Sequence, residues 1–264
     1  GFFPGLAYLL FVAVFMLFIK LYLGEISLRT KGNHQLTGYA ERYLGKKGKW
    51  LMFFAMIFGV YSALIAYLIA EGKSLSYIFA GNESFSLLFS LGFWIIMTCL
   101  SYIGLRALKK YEKISMILIL SIVVLVIIFF FPSIKLENLS YILPENIFLP
   151  FGVVLFSFLA FSAMPEVERI LSGQEKLMKK VIFIGVMIPL FVYFLFMLIV
   201  VGNFGTSVPE IATLALPRFF SILAVLTMFT AYFALTIAIR DMFRFDYNLG
   251  RFKGWFLACF LPLV

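Results

Sequence analysis

Charge is what this chain has least of. Only 13% of its 264 residues are Asp, Glu, Lys or Arg, where a soluble domain carries about a quarter. That shortage, with a mean hydropathy of +1.05, excludes a water-soluble globular domain and leaves a polytopic membrane protein. Histidine occurs once, at His34, in a polar loop with no metal partners in reach of sequence. The two cysteines, Cys99 and Cys259, lie far apart inside apolar stretches, so they form neither a disulfide framework nor a metal motif and read as small buried residues. No phosphate-binding loop is present, so a primary pump would need a separate subunit. No cleavable signal peptide is visible, and a chain with many spans would not need one. Nothing calls for a cofactor. What the chain does have is 63% hydrophobic residues in long runs and a formal charge of +9. Such a charge suits nucleic acid, but the basic residues sit in short connectors between apolar runs, which makes the bilayer the partner and excludes nucleic acid.

About 20 apolar residues cross a bilayer as helix. Runs of that length occupy residues 4–24, 50–70, 85–105, 114–131, 147–167, 181–201 and 219–239, and an eighth, 255–264, is too short. The opening Gly1-Phe2-Phe3-Pro4-Gly5 reads as a tight turn between two spans, and both ends of the chain read as cut, as in a fragment of a longer protein. Residues 25–49, 106–113, 168–180 and 240–254 hold 18 of the 22 Lys and Arg. The positive-inside rule places these connectors in the cytoplasm and the first visible span running inward. Within the first connector, Leu36, Tyr39, Ala40, Tyr43 and Leu44 recur at helical spacing, which predicts a short helix at the inner surface; a plain basic connector is the other reading. Residues 131–144 are too polar and interrupted to span, so they read as an outer loop.

The stretch from Phe148 to Glu168 reads as a span, yet Ser157, Ser162 and Pro165 crowd its second half and Glu166 follows at once. Lipid offers no water to an open backbone group, so a helix breaks inside a bilayer only where protein or a polar cavity covers the break. Secondary transporters use such breaks to hold substrate near the midplane. The bland alternative is a proline-kinked helix with Glu166 capping the next turn.

Three segments carry a family resemblance. Leu23-Gly-Glu-Ile-Ser-Leu-Arg-Thr-Lys-Gly-Asn-His-Gln-Leu-Thr-Gly-Tyr-Ala40 is similar to the loop after the second helix of amino-acid permeases. Tyr61-Ser-Ala-Leu-Ile-Ala-Tyr-Leu-Ile-Ala-Glu-Gly72 resembles their third helix, and Phe156-Ser-Phe-Leu-Ala-Phe-Ser-Ala-Met-Pro-Glu-Val167 their broken sixth. The chain resembles the amino acid/auxin permease family, near the aromatic amino-acid permeases, in the amino acid–polyamine–organocation superfamily. The resemblance implies an all-α bundle of the LeuT type, an inverted repeat represented here by helices two to eight and the start of nine. Residues 1–132 would be the remainder of the first repeat and 147–264 a partial second repeat. It implies an ion-coupled importer of hydrophobic or aromatic amino acids in the plasma (cytoplasmic) membrane, working by alternating access.

At the break, carbonyls of residues 158–163 would meet an amino group, Ser162 and Ala163 would leave room for the ligand, and Phe158 and Phe161 would wall an apolar pocket. Tyr67 and Ser62, among the small and hydroxylated residues of the second span, are the other substrate candidates; helix packing is the competing reading, and Tyr61 rivals Tyr67. Thr227 and Thr230 stand one turn apart in the 219–239 span, where the resemblance implies a sodium site and hydroxyl oxygens suit a hard cation. The competing reading has each hydroxyl bonding its own helix. No titrating group stands obviously mid-span, which favours Na+ over H+ as coupling ion. Lys20 reads as snorkelling to water. Glu71 with Lys73, and Arg240 with Asp241, read as solvated pairs at helix ends. Glu25 precedes Arg29 at ion-pair spacing, and an interfacial anchor is the favoured reading over an ion pair at the inner gate. A membrane transferase would need clustered His, Asp or Glu, and the acids here are scattered; a channel or non-transporting sensor is the other rival. Oligomeric state is not encoded in any pattern here.

Overall fold

The computed structural model describes residues 1–103, 105–141, 147–209 and 211–263, excepting the side chains of 105–113 and 263. The α-helices are α1 (Phe2–Arg29), α2 (Leu36–Ala80), α3 (Ser86–Ile103), α4 (Leu105–Phe130), α5 (Leu136–Ser140), α6 (Leu149–Ser157), α7 (Met164–Ile170), α8 (Met178–Phe204), α9 (Ile222–Asp241) and α10 (Arg251–Phe260), with no strand among the described residues. Among the described residues, seven helical segments are long and apolar enough to cross a bilayer: Phe2–Arg29, Leu36–Ala80, Ser86–Ile103, Ile114–Ser133, Leu149–Ile170, Glu175–Ser207 and Arg218–Asp246. Each overlaps one of the seven apolar runs. The protein is a polytopic helical bundle.

The connectors hold more helix than their polarity suggests. The first five residues are no turn: α1 starts at Phe2, and the Gly5 amide donates to the Gly1 carbonyl at 3.3 Å. Pro4 is tolerated because amides of a first turn have no intrahelical acceptor. Residues 106–113 belong to α4. The 131–144 segment contains the short α5; Asn138 Nδ2 and the Lys135 amide both donate to the Gly202 carbonyl, at 2.9 and 3.0 Å. A Cβ at Gly202 would lie 2.9 Å from Ile134 Cγ2, so glycine permits that approach. Residues 142–144 of the expected loop lie outside the described residues, as does Val264 of the eighth run. The helix expected from Leu36 is present, with Leu36, Tyr39 and Ala40 buried and Tyr43 and Leu44 exposed. It joins the following span across Gly45, whose φ of 70° only glycine adopts readily.

The chain divides into two compact units, each assembled from separated segments: Gly1–Thr30 with Ser121–Ala215, and Lys31–Leu120 with Leu216–Val264. In the first, α1 packs against α6, α7 and α8 through a stripe of Leu9, Ala13, Met16, Lys20 and Gly24, at the three- and four-residue spacing of one helix face. In the second, α2 packs against α3 and α9, and α10 against α9. The left-handed Gly81 ends α2, and Ser76 Oγ donates to the Asn82 carbonyl at 2.7 Å to hold the turn into α3.

Candidate functional site

The candidate residues divide between the units. Phe158, Phe161, Ser162 and Ala163 are in the first, where the span Leu149–Ile170 is interrupted. Helix α6 ends at Ser157, a 3-10 turn covers Phe161–Ala163, and α7 begins at Met164 with Pro165 in its first turn. The Phe158 and Leu159 amides turn back to the carbonyls of Leu155 and Phe156, and bonding resumes only at Ala163, whose amide donates to the Ala160 carbonyl. Ala160 sits between at φ 16°, ψ 15°, outside either helix. The break is therefore three residues of non-helical backbone, not a kink.

Side chains around the break fall into distinct settings. Ser162 is buried, and Phe161 and Ala163 are half-buried. Phe158 is 2% exposed and packs in a core with Leu9, Val12, Ala13, Met16 and Val186. Its ring stands edge-on to Tyr193, centroids 5.5 Å apart, and Tyr193 Oη donates to the Ser157 carbonyl at 3.3 Å. An apolar cavity of about 530 Å³ lies alongside α6, lined among others by Leu9, Val153, Val154, Ser157, Tyr193 and Met197. Tyr193 was not singled out from sequence; one tyrosine in an apolar run carries no signal of its own. Lys20 does not snorkel: it is 6% exposed, two turns inside the end of α1 on the stripe that faces α6, α7 and α8. Glu25 and Arg29 form an ion pair, Nη2 to Oε1 2.7 Å.

In the second unit, Ser62 is exposed and Tyr67 half-buried. Tyr61 is committed to packing, its hydroxyl donating to the Leu257 carbonyl at 3.0 Å. Both threonines bond their own helix: Thr227 Oγ1 donates to the Leu223 or Ala224 carbonyl (2.9 and 3.0 Å), Thr230 Oγ1 to that of Leu226 or Thr227 (3.2 and 2.9 Å). Their lone pairs are the only part left for a cation. Among the described residues, no group of three or more His, Cys, Asp or Glu could hold a metal ion.

Several charges behave differently from their sequence setting. Glu71 is buried, and Lys73 pairs instead with Glu83 at 3.6 Å. Arg240 and Asp241 do pair, at 3.0 Å, but both are buried, and Arg240 Nη1 also donates to the Ser101 carbonyl. Cys259 is buried as expected; Cys99 is exposed. Asp246, overlooked in the sequence, is a buried acceptor. It takes the amides of Gln35 (3.0 Å) and Gly38 (2.8 Å) and the Thr37 hydroxyl, with His34 Nδ1 3.7 Å away. It thus satisfies the open amides that begin α2. Lys49 closes this clasp, donating to Glu41 at 2.6 Å and to the Asp246 carbonyl at 3.0 Å. Burial, with Asp246 and Glu41 nearby, pushes the Tyr247 phenol up to about 12.

Two curated proteins resemble this chain. It is 26% identical over 253 residues to the tyrosine-specific transport system 1 of Haemophilus influenzae, covering 85% of this chain and 63% of that protein. It is 23% identical over 212 residues to glutamine transporter 2 of Aliivibrio fischeri, covering 77% of this chain and 54% of that protein. The chain thus spans between about half and two-thirds of the length of these relatives. No solved structure matches. Seven apolar helices among the described residues, with bacterial proteins as relatives, describe an integral, multi-pass protein of the plasma membrane. The tryptophan/tyrosine permease family matches residues 1–213, through six of the seven spans and the broken one among them, and the chain belongs to that family.

Proposed function

We propose that this protein is a secondary carrier that imports amino acids with hydrophobic or aromatic side chains, coupled to Na+ or H+ and working by alternating access. The observation that carries the reading is the non-helical backbone of residues 158–160 inside a membrane span. Such backbone persists in a bilayer only where protein or a polar cavity covers it, and carriers use it to hold substrate. Family membership and the two named relatives support the same reading. On it, carbonyls at the break receive the substrate's amino group, Ser162 and Ala163 admit the ligand, and the cavity beside Ser157 and Tyr193 takes its side chain. Phe158 then shapes that pocket from behind, as part of the core, with Phe161 at its edge. Ser62 and Tyr67 are the candidates from the second unit, and the lone pairs of Thr227 and Thr230 would serve a sodium ion. The finer placement follows from resemblance: the amino acid/auxin branch and an inverted-repeat bundle of the LeuT type.

Counterflow of labelled tyrosine, tryptophan, leucine and glutamine in proteoliposomes holding the full-length permease tests this. Saturable exchange is expected, strongest for the aromatic pair. Ser162→Leu, which fills the break, should raise KM by about tenfold or more, a loss of at least about 1.4 kcal/mol of binding. Unchanged KM in well-inserted Ser162→Leu would remove the break from the substrate site.

A further inference from the structure

Helix α2 carries a carboxyl group for which substrate binding at the break has no use. Glu71 is 1% exposed, inside a membrane-crossing helix, nine residues before its end at Ala80, or about 14 Å along the axis. Its Oε2 is buried with no hydrogen-bond partner among the described residues. The same holds for Ser74 Oγ, one turn further along the same helix. Two orphaned oxygens at three-residue spacing lie on one helix face.

The residue beside it is a point of close helix packing. Gly72, next in sequence, lets α3 come so close that a Cβ there would overlap the Ser86 carbonyl and the Ser90 hydroxyl. Ser90 Oγ is spent on the Leu68 carbonyl at 2.8 Å, so it stitches the helices together without serving the acid.

No neighbouring charge answers Glu71. On its own helix, Lys73 pairs with Glu83 and Tyr77 lies under the Arg218 guanidinium, 5.9 Å from its centroid. Helix α3 brings only Cys99 and Tyr102 as titratable groups, both in its far half. The turn before α9 brings Arg218. Helix α9 itself brings Tyr232, edge-on to Phe93 at 5.3 Å, and the Arg240–Asp241 pair. The segment after α9 brings Arg244 and Asp246, and Asp246 is occupied at the start of α2.

An ionised carboxylate here would lack both counter-charge and donor, at several kcal/mol of desolvation. Ionisable groups kept inside membrane helices despite that penalty mark proton or ion pathways. We propose that Glu71, with Ser74 beside it, is a proton-binding site and that the proton it carries is the coupling ion of the permease. The proposal rests on the carrier reading above and selects H+ over Na+. With α2 and α3 closed, the carboxyl is protonated and neutral. When their packing opens to water, the carboxyl O–H bond breaks and the proton passes to water as hydronium. The carboxylate, now hydrated and accepting from Ser74, must take up another proton before the helices close over it again. No other reactant is involved.

The test uses the full-length permease in sodium-free proteoliposomes, with an amino acid that undergoes counterflow. A pH gradient, acid on the side of uptake, should drive accumulation in the wild type. Glu71→Gln should keep counterflow within about threefold and lose gradient-driven accumulation. Accumulation by Glu71→Gln equal to wild type, or wild-type accumulation that follows a sodium gradient and ignores pH, would overturn the proposal. Infrared difference spectra separate this from failure of the carrier reading and from misfolding. The wild type at neutral pH should show a protonated-carboxyl stretch that is lost in Glu71→Gln and shifted in Glu71→Asp. A wild-type spectrum with no such band would overturn the proposal whether or not any amino acid is transported.

Discussion

In the first unit the buried polar groups of a membrane-crossing segment come from backbone opened at residues 158–160; in the second, α2 runs helical past residue 71 and side chains bring them. A broken backbone presents several carbonyls and amides at fixed positions, suited to the amino and carboxyl groups of a substrate. A carboxyl on an intact helix presents one group that changes charge, suited to a proton. Each exception is buried: Phe158 and Tyr193 pack the flank of the break, and Glu71 is 1% exposed, next to the glycine at which α3 comes closest.

The comparison is tested hardest at Asp246, because the second unit depends on side-chain acceptors. Asp246→Ala leaves the Gln35 and Gly38 amides and the Thr37 hydroxyl buried without an acceptor. At about 1–3 kcal/mol for each orphaned donor, thermal unfolding in detergent should show a loss of several kcal/mol. A midpoint equal to wild type would mean that the clasp contributes nothing.

Next in size is Gly72→Ala, which overlaps backbone of α3 and should destabilise by about 1–3 kcal/mol while wetting Glu71. Gly152→Ala on α6 is its counterpart in the first unit, since nothing lies within 4 Å of the added Cβ; it should be neutral or stabilising by up to about 1 kcal/mol. Equal effects in the same melting assay would erase the distinction between a closely packed and an open helix face.

Smallest should be Thr227→Val. Its hydroxyl already bonds its own helix, so stability should change by about 0.6 kcal/mol or less, and uptake should respond to sodium no differently from wild type. A raised sodium requirement in that variant would instead make the threonines the cation site and sodium the coupling ion.

The seven spans were legible because each is a run of about 20 apolar residues, a requirement of the bilayer itself. The break was legible because Ser157, Ser162 and Pro165 are poor residues for a continuous membrane helix. The burial of Glu71, Asp246 and Lys20 was not. Glu71-Gly-Lys73 and Arg244-Phe-Asp246 look like ordinary charged helix ends, and only the packing of the fold, such as the start of α2 onto Asp246, reveals their burial. Phe158 was legible as a residue of the break, but that it faces a core of Leu9, Met16 and Val186 depends on how α1 and α8 pack.

Sequence by itself determined that this chain is a membrane bundle, where its spans lie and which one opens, because hydropathy and backbone hydrogen bonding act along the chain and need no partner. Tertiary structure alone decided which polar groups are paired and which are left over. The pairing of a charge depends on what lies within about 3 Å of it in space, and the elements that answer or abandon these groups are tens to hundreds of residues away.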